Sequence, residues 1–415
     1  MKVAYVNYSD ISGGAARGAY RLHRGLIEAG IDSRCFVRNR ILNDPTVVES
    51  GGEFSKSLGH IGHFVSQRIL GLQKSEYPGL RNLNIFGSAI AKDVISYAPD
   101  ILQLHWIGYD TISISQLKRF KMPIVWRLAD MWAFTGTEHY VPDDFHARFR
   151  SGYGADNRPG LSRGIDIDRY IWAYKRSQWR GLPITFVTGS KWLADCLADS
   201  CLFSKNRIEV IPSGIDLSIF RPTSKSTSRN IFGIKEDAKV IMFSAQNALH
   251  DPRKGFQYLY RSLKRNFKGY KDILLVVLGH NGDPPVPNFD FPTVYLGQLW
   301  DDHSLALAYS VADVFVAPSV QDNLPFSVME ATACGVPVVA FSLGGLPEMI
   351  KHLETGYLAK PYCVDDLSSG ISWALGNIGS EEIAESARGH AERNYSVKSQ
   401  VDNYCSLYRS LLASI

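Results

Sequence analysis

Two carboxylates and two cations stand in this chain where helices and their entry turns can focus them on one small ligand. In PSVQDNLPFSVMEATACGVPVVAFSLGGLPE, from Pro318 to Glu348, Asp322 and Glu330 are eight positions apart. Pro325 reads as the first helical position, and Ala333-Cys334-Gly335 as the turn before an apolar strand, VVAF. At about 3.6 residues per turn, one acid lies at the helix entrance and the other about two turns inside. A helix N-terminus is an anion site, so a diphosphate fits there, with one carboxylate on the ribose of a nucleotide and the other on the hydroxyls of an attached sugar. The competing account is an ordinary strand-helix-strand unit with two surface acids. Upstream, HDPRKGFQYLYRSL follows the strand KVIMFSA and sets Arg253 and Lys254 just before a helix. Fixed cations there neutralise a departing diphosphate, or else are solvated cations of a helix start.

The elements that must carry these residues alternate from end to end. KVAYVNY, SRCFVRN, ILQLHW, PIVWRL and ITFVTG in the first half, and KVIMFSA, ILLVVLG, TVYLG, DVFVAPS and PVVAFS in the second, are short apolar segments separated by helical patterns. Near-continuous apolar strands between helices imply parallel sheets covered on both faces, with ligands at the carboxyl ends of the strands. A length of 415 residues exceeds one typical core and predicts two domains. Their boundary falls near IPSGIDLSIFRP, residues 211–222, and YSVKSQVDNYCSLYRSLLASI, residues 395–415, has the spacing of a final helix. Residues 136–165, rich in Gly, Asp, Arg and Pro, read as a long irregular excursion of the functional or mobile kind.

Composition narrows the class. With 45% hydrophobic and 21% charged residues the chain is an ordinary globular one, and no apolar run approaches a membrane span. The start, MKVAYVNYSD, is a buried-strand pattern rather than a secretory signal, and six cysteines lie scattered without metal-ligand spacing. Together these predict a cytoplasmic protein with reduced thiols. A net charge of +4 does not imply nucleic acid. The excess sits early, however: residues 1–125 hold 15 Lys or Arg against 10 Asp or Glu. Arg17, Arg21 and Arg24 form a helical stripe, which is either a solvated face or one that attracts acidic headgroups or a lipid-diphosphate acceptor at a membrane surface.

Further candidates cluster in the first half. Ser12-Gly13-Gly14-Ala15 follows the first strand, where glycines permit close backbone approach to a phosphate or form a plain tight turn. In PIVWRLADMWAFTGTEHY, Asp130 either offers a polar contact at the strand end or caps the next turn, and Arg127 either pairs with it or faces a cleft. His105 and His139 are acceptor-side candidates, or hydrogen-bonded structural histidines. Asp166 and Asp168 form an Asp-x-Asp that reads as a metal pair or, more simply, a helix cap. Ser151–Leu161 contains no cysteine, so no zinc site is indicated and no metal is expected.

The Pro318–Glu348 stretch closely resembles the donor-binding motif of retaining GT-B glycosyltransferases of the large Glu-x7-Glu family (group 1, family 4-like), with Asp322 in the first acidic place. The resemblance is strong over roughly residues 235–370 and patchier over 1–20, 100–140 and 184–222. It implies two Rossmann-like α/β domains facing a central cleft: an acceptor-side domain 1–213, a donor domain 214–394, and a helix 395–415 crossing back to the first. It further implies that Glu330 binds the nucleotide ribose, that Asp322 faces the donor sugar, and that Lys254, with Asp322 and Asp130, belongs to the reaction centre. Backbone at Gly13, Gly14, Asn323, Leu324 and Gly345, with Arg253, would complete the donor site, and Arg17, His105, Arg127 and His139 the acceptor side. Two departures stand out, Ala129 where relatives carry histidine and Ala248 where the family carries arginine. The implied activity is transfer from a UDP- or GDP-linked sugar to a saccharide or lipid-linked acceptor in surface polysaccharide synthesis, without a cofactor. Alternatives are an epimerase or phosphorylase on the same scaffold, or a degenerate protein that binds nucleotide sugar or a partner without turnover.

Overall fold

Strands whose two faces are both apolar bury both in parallel sheets, and that pattern organises this chain. The computed structural model describes residues 1–77, 79–244, 251–279, 289 and 291–414, and at 53–58 and 60 the backbone alone. Ala248, one of the two departures noted above, lies outside the described residues. Two units emerge: Met1–Pro212 together with Lys398–Ile415, and Ser213–Val397.

In the first unit, β1 (Lys2–Ser9), β2 (Asp32–Asn39), β3 (Val47–Glu49), β4 (Ile101–Leu104), β5 (Ile124–Leu128), β6 (Ile184–Thr188) and β7 (Ile208–Val210) form a seven-stranded sheet in the order β3-β2-β1-β4-β5-β6-β7. All its neighbours are parallel, with Val3 opposite Ser33 on one side and Ile101 on the other. The helix Gly14–Glu28 buries Ala16, Ala19, Leu22, His23 and Leu26, an apolar stripe at helical spacing that seats it on the sheet. The helix Val397–Leu412 buries Tyr404 and Tyr408, and the Tyr408 hydroxyl donates to Gln103 of β4 at 2.9 Å.

The second unit repeats the plan. Strands β8 (Lys239–Ser244), β9 (Ile273–Leu278), β10 (Thr293–Gly297), β11 (Val314–Ala317), β12 (Val338–Phe341) and β13 (Gly356–Ala359) run in the order β10-β9-β8-β11-β12-β13. In each sheet the strand order reverses once, between β1 and β4 in the first and between β8 and β11 in the second. A doubly wound sheet binds ligands at the carboxyl ends beside such a reversal, because the connections diverge there and leave a crevice.

The excursion at 136–165 is stapled rather than loose. Arg148 pairs with Asp166 at 2.7 Å, and Asp166 also caps the helix Ile167–Trp179 by accepting from the Arg169 N–H. Asp168 is buried and accepts from Arg81 at 2.9 Å and from Gln73 and Thr137. Both carboxylates of the Asp-x-Asp are thus held by protein groups, and the capping account describes Asp166. The buried Lys175 ammonium lies over Trp132 and donates to the carbonyls of Trp132, Thr135 and Gly136. Burial, then the Asp168 carboxylate, push Glu138 above the usual carboxyl range. Burial raises Asp168 too, but the Arg81 cation and the hydrogen bonds more than offset it.

Candidate active site

The reversal point of the second sheet is where the charged residues of the motif converge. Strand β8 leads, beyond its carboxyl end, to a short 3-10 turn, Pro252–Lys254, capped by Asp251, whose side chain accepts from the Arg253 N–H. Strand β11 leads to the loop 318–325 and the helix Phe326–Ala333. Two connections from adjacent parallel strands therefore meet, and Val320 donates its N–H to the Arg253 carbonyl at 2.9 Å.

At this meeting the Lys254 ammonium lies 2.7 Å from Asp322 Oδ2, and the Arg253 guanidinium 3.6 Å from the same oxygen. Arg253 also pairs with Asp251 at 2.9 Å and donates to the Gln321 carbonyl at 3.1 Å. Asp322 is buried, which raises its carboxyl, but Lys254 and then Arg253 more than offset the burial and hold it below the usual range. The acid is thus ionised with two cations beside it, and with Asp251 on Arg253 the cluster holds two cations and two carboxylates.

Glycine is required at two points of this arrangement. Gly255 has φ +69°, and a Cβ there would lie 1.8 Å from the Pro318 carbonyl oxygen. Gly344 has φ +60°, and its Cβ would lie 2.3 Å from the Asp322 carbonyl oxygen, to which Gly345 donates its N–H at 3.0 Å. Neither contact leaves room for a side chain.

Glu330 is the fifth residue of the helix Phe326–Ala333, buried, with its Oε2 accepting from the Tyr309 hydroxyl at 3.1 Å. The helix begins one residue later than the sequence pattern indicates, with Pro325 as its cap in extended conformation. Asp322 lies four residues before the helix, in the loop rather than at its entrance, so Glu330 is just over one turn inside, not two. Asn323 is buried and donates its N–H to the Asp322 carboxylate at 3.0 Å, while Leu324 packs in the apolar core of the unit.

Of the first-unit candidates, His105, Asp130 and His139 line one small cavity together with Ala129, and the others lie outside its lining. Gly13 caps the helix Gly14–Glu28 through its carbonyl, which accepts from Arg17, at the carboxyl end of β1. Arg17 and Arg21 are half-buried on that helix, and Arg24 lies 3.6 Å from Asp44. His105 is buried at 5% exposure, stacked on Tyr5 with ring centroids 4.9 Å apart, and its Nε2 has no hydrogen-bond partner. Burial, followed by the charges of Arg127 and His23, lowers its basicity well below the ordinary range. Arg127, half-buried on β5, is close enough for its charge to act on both His105 and Tyr404.

Asp130 does two jobs at once. It caps the following turn, with Oδ1 accepting from the Trp132 N–H at 3.0 Å, and its Oδ2 accepts from Trp106 Nε1 at 3.1 Å and lies 2.7 Å from His139 Nδ1. Burial raises its carboxyl, but His139 and these donors hold it below the usual range. Asn82 Oδ1 accepts from the Tyr109 N–H, which turns its Nδ2 donor toward His139 Nε2 at 2.6 Å. That arrangement puts the His139 proton on Nδ1, facing Asp130, and occupies the Nε2 lone pair. A relay of Asn82, His139 and Asp130 braces the strand end where Ala129 stands.

Residues that sequence reasoning passed over line a cavity of about 800 Å³ at the carboxyl ends of β1 and β2: Tyr8, Arg38, His63, Arg81 and Tyr109 among them. Tyr8, Trp106 and Tyr109 pack edge-on with centroids 5.1–5.8 Å apart, and the Arg38 guanidinium donates to the Tyr109 carbonyl. Behind it, the buried Asp10 accepts from the N–H groups of Ile11, Ile41 and Leu42 and fixes the two loops that follow β1 and β2.

The family model described as Glycosyltransferase Family 4 matches residues 12–219, half of the chain. The chain belongs to glycosyltransferase family 4. A second model, Glycosyl transferases group 1, matches residues 238–377 of this family 4 chain, which contain Lys254, Asp322 and Glu330. A D-inositol 3-phosphate glycosyltransferase of Mycobacteroides abscessus is 29% identical over 50% of the chain and 47% of its own length, so the chain matches about half the length of that relative. The fold is GT-B. Sucrose-phosphate synthase of Thermosynechococcus elongatus aligns over the whole of both chains with a TM-score of 0.71 at 17% identity. HepE of Anabaena, solved in complex with UDP-glucose, aligns over the whole of both chains with a TM-score of 0.65 at 15% identity. Among the described residues, no helix is long and apolar enough to cross a membrane.

Proposed function

We propose that this family 4 protein is a retaining glycosyltransferase that moves a sugar from a uridine or guanosine diphosphate sugar to a hydroxyl of a saccharide or lipid-linked saccharide. The observation that carries the reading is the convergence of Lys254, Arg253 and Asp322 at the reversal point of the second sheet, with Glu330 on the adjoining helix. Lys254 and Arg253 meet the diphosphate in the place a metal ion would otherwise take, Glu330 accepts from the ribose hydroxyls, and Asp322 orients the sugar. In the reaction the bond from the anomeric carbon to the phosphate oxygen breaks, its electron pair goes to the diphosphate, and the acceptor oxygen bonds to the same face. The acceptor proton passes to the leaving phosphate oxygen, so no side-chain base is needed and Ala129 is compatible with turnover. The cavity of Tyr8, Arg38, His63, Arg81 and Tyr109 has the aromatic edges and forked donors that a sugar acceptor calls for. The structure of HepE with UDP-glucose favours uridine as the base.

A second reading, binding of nucleotide sugar without turnover, has Ala129 in its favour. Calorimetric titration with UDP and GDP, on the wild type and on Glu330→Ala, comes first, followed by transfer assays with sugars of the nucleotide that binds. Binding lost in Glu330→Ala, with a product that keeps the anomeric configuration of the donor, is the expected result. Binding without transfer to any acceptor favours the second reading, and binding of neither nucleotide overturns both.

A further inference from the structure

At the amino ends of β5 and β6, the edge of the first sheet opposite the strand ends discussed so far, there is a second cavity of about 800 Å³. Five of its lining side chains are cations, Lys121, Arg176, Arg180, Lys205 and Arg207, and none is an acid. Arg207 pairs with Glu209 at 2.8 Å and donates to Ser410 at 3.2 Å. Arg176 stands in the last turn of the helix Ile167–Trp179 and lies over Trp172, so the helix dipole and that ring account for its charge. Arg180, the C-cap residue of the same helix, shares that dipole, and nothing of the kind accounts for Lys121 and Lys205. Among the described residues Lys121, Arg180 and Lys205 form no ion pair, although the fold gathers them from three separate segments around one concavity. Like charges brought together by a fold repel, and a concave low-dielectric wall focuses their field outward onto a counter-ion.

We infer that this cavity is a binding site for a phosphate group, distinct from the donor site of the second unit. Asn206 and Ser204 are not the holders of the charge: Asn206 spends its amide on the Leu182 and Ile184 carbonyls and shapes the wall, while Ser204 adds a hydroxyl at the rim. Arginine forks and lysine ammonium groups together match phosphate oxygens, whether these belong to a soluble phosphorylated molecule or to the headgroup of an anionic lipid. The inference rests on the charge and shape of the first unit alone and stands or falls independently of the transfer reaction.

The test uses the full chain in three forms: wild type, Arg180→Ala with Lys205→Ala, and Lys235→Ala as an exposed cation of the second unit. Inorganic phosphate is titrated calorimetrically, and each protein is sedimented with vesicles of phosphatidylcholine alone or mixed with phosphatidylglycerol. Any phosphate site in the second unit contributes equally to all three proteins, so only the difference counts. All the replaced residues are exposed, and circular dichroism checks that each protein folds. Removing two cations weakens binding by about thirtyfold at low salt, and added salt erodes the wild-type affinity toward that of the variant. A loss confined to the phosphate titration identifies a soluble ligand, and a loss in sedimentation with the acidic vesicles identifies a headgroup; either supports the site. Equal binding by wild type and double variant in both assays overturns it.

Discussion

Replacing Lys254 by methionine separates two roles that one residue holds in this structure. The ammonium is 2.7 Å from Asp322, so its removal leaves a buried carboxylate with Arg253, at 3.6 Å, as the remaining cation. Breaking a fully buried pair costs about 3–5 kcal/mol. Lys254 keeps 24% of its side-chain surface in water, so the cost here falls to roughly 1–3 kcal/mol, which lowers the melting temperature by about 2–4 °C for each kcal/mol. The chemical cost is separate: a missing cation at the departing diphosphate removes about 2.7–4 kcal/mol of transition-state stabilisation, a fall of about a hundredfold to a thousandfold in turnover. Adding Asp322→Asn to Lys254→Met neutralises the stranded acid and returns most of the lost stability, whereas transfer stays impaired. Thermal melts and turnover for the wild type, both single variants and the pair make a double-mutant cycle. If turnover returns together with melting temperature in the double variant, Lys254 is only the counter-ion of Asp322 and the reasoning about the diphosphate fails.

Glu330→Gln keeps a partner for the Tyr309 hydroxyl but loses the charged acceptor, so nucleotide affinity falls about tenfold to a hundredfold in calorimetry while the melting curve barely moves. Gly255→Ala drives a Cβ into the Pro318 carbonyl and costs about 2–4 kcal/mol, read as a lower urea midpoint. If Lys254 and Arg253 meet the diphosphate as proposed, dialysis against a chelator leaves transfer unchanged; loss of activity restored by a divalent cation contradicts that assignment. Burial lowers His23 from its usual value to about 4, so folding stability present above about pH 6.5 is lost as the pH falls from there toward 4. The loss amounts to about 3 kcal/mol in urea titrations, and His23→Gln flattens the decline.

The parallel sheets were legible because both faces of nearly every strand are apolar, whereas Lys254 was set beside Asp322 by the family resemblance, since it lies ten residues past the end of β8 and no local pattern links the two. Tyr309 was not legible, since its bond to Glu330 spans two elements and leaves no local pattern. His105 looked available because it follows an apolar strand, yet period two alone does not say that Tyr5 covers it. The cavity of Tyr8, Arg38, His63, Arg81 and Tyr109 draws one to three residues from each of several separated segments, none of which carries a motif. Helix register was misjudged by one residue at Pro325, where a proline fits the cap and the first turn about equally.

The contact of Gly255 with the Pro318 carbonyl has a consequence for engineering. The loop bearing the cations and the loop bearing the acid interlock through backbone atoms, so neither can be exchanged without the other. A graft of residues 318–345 from a relative would bring a new carbonyl path against an old glycine, and the cation would lose its register with the acid. If these loops hold the donor as proposed, its preference is set by the matched pair, and a specificity library that varies one of them alone breaks the pairing it needs.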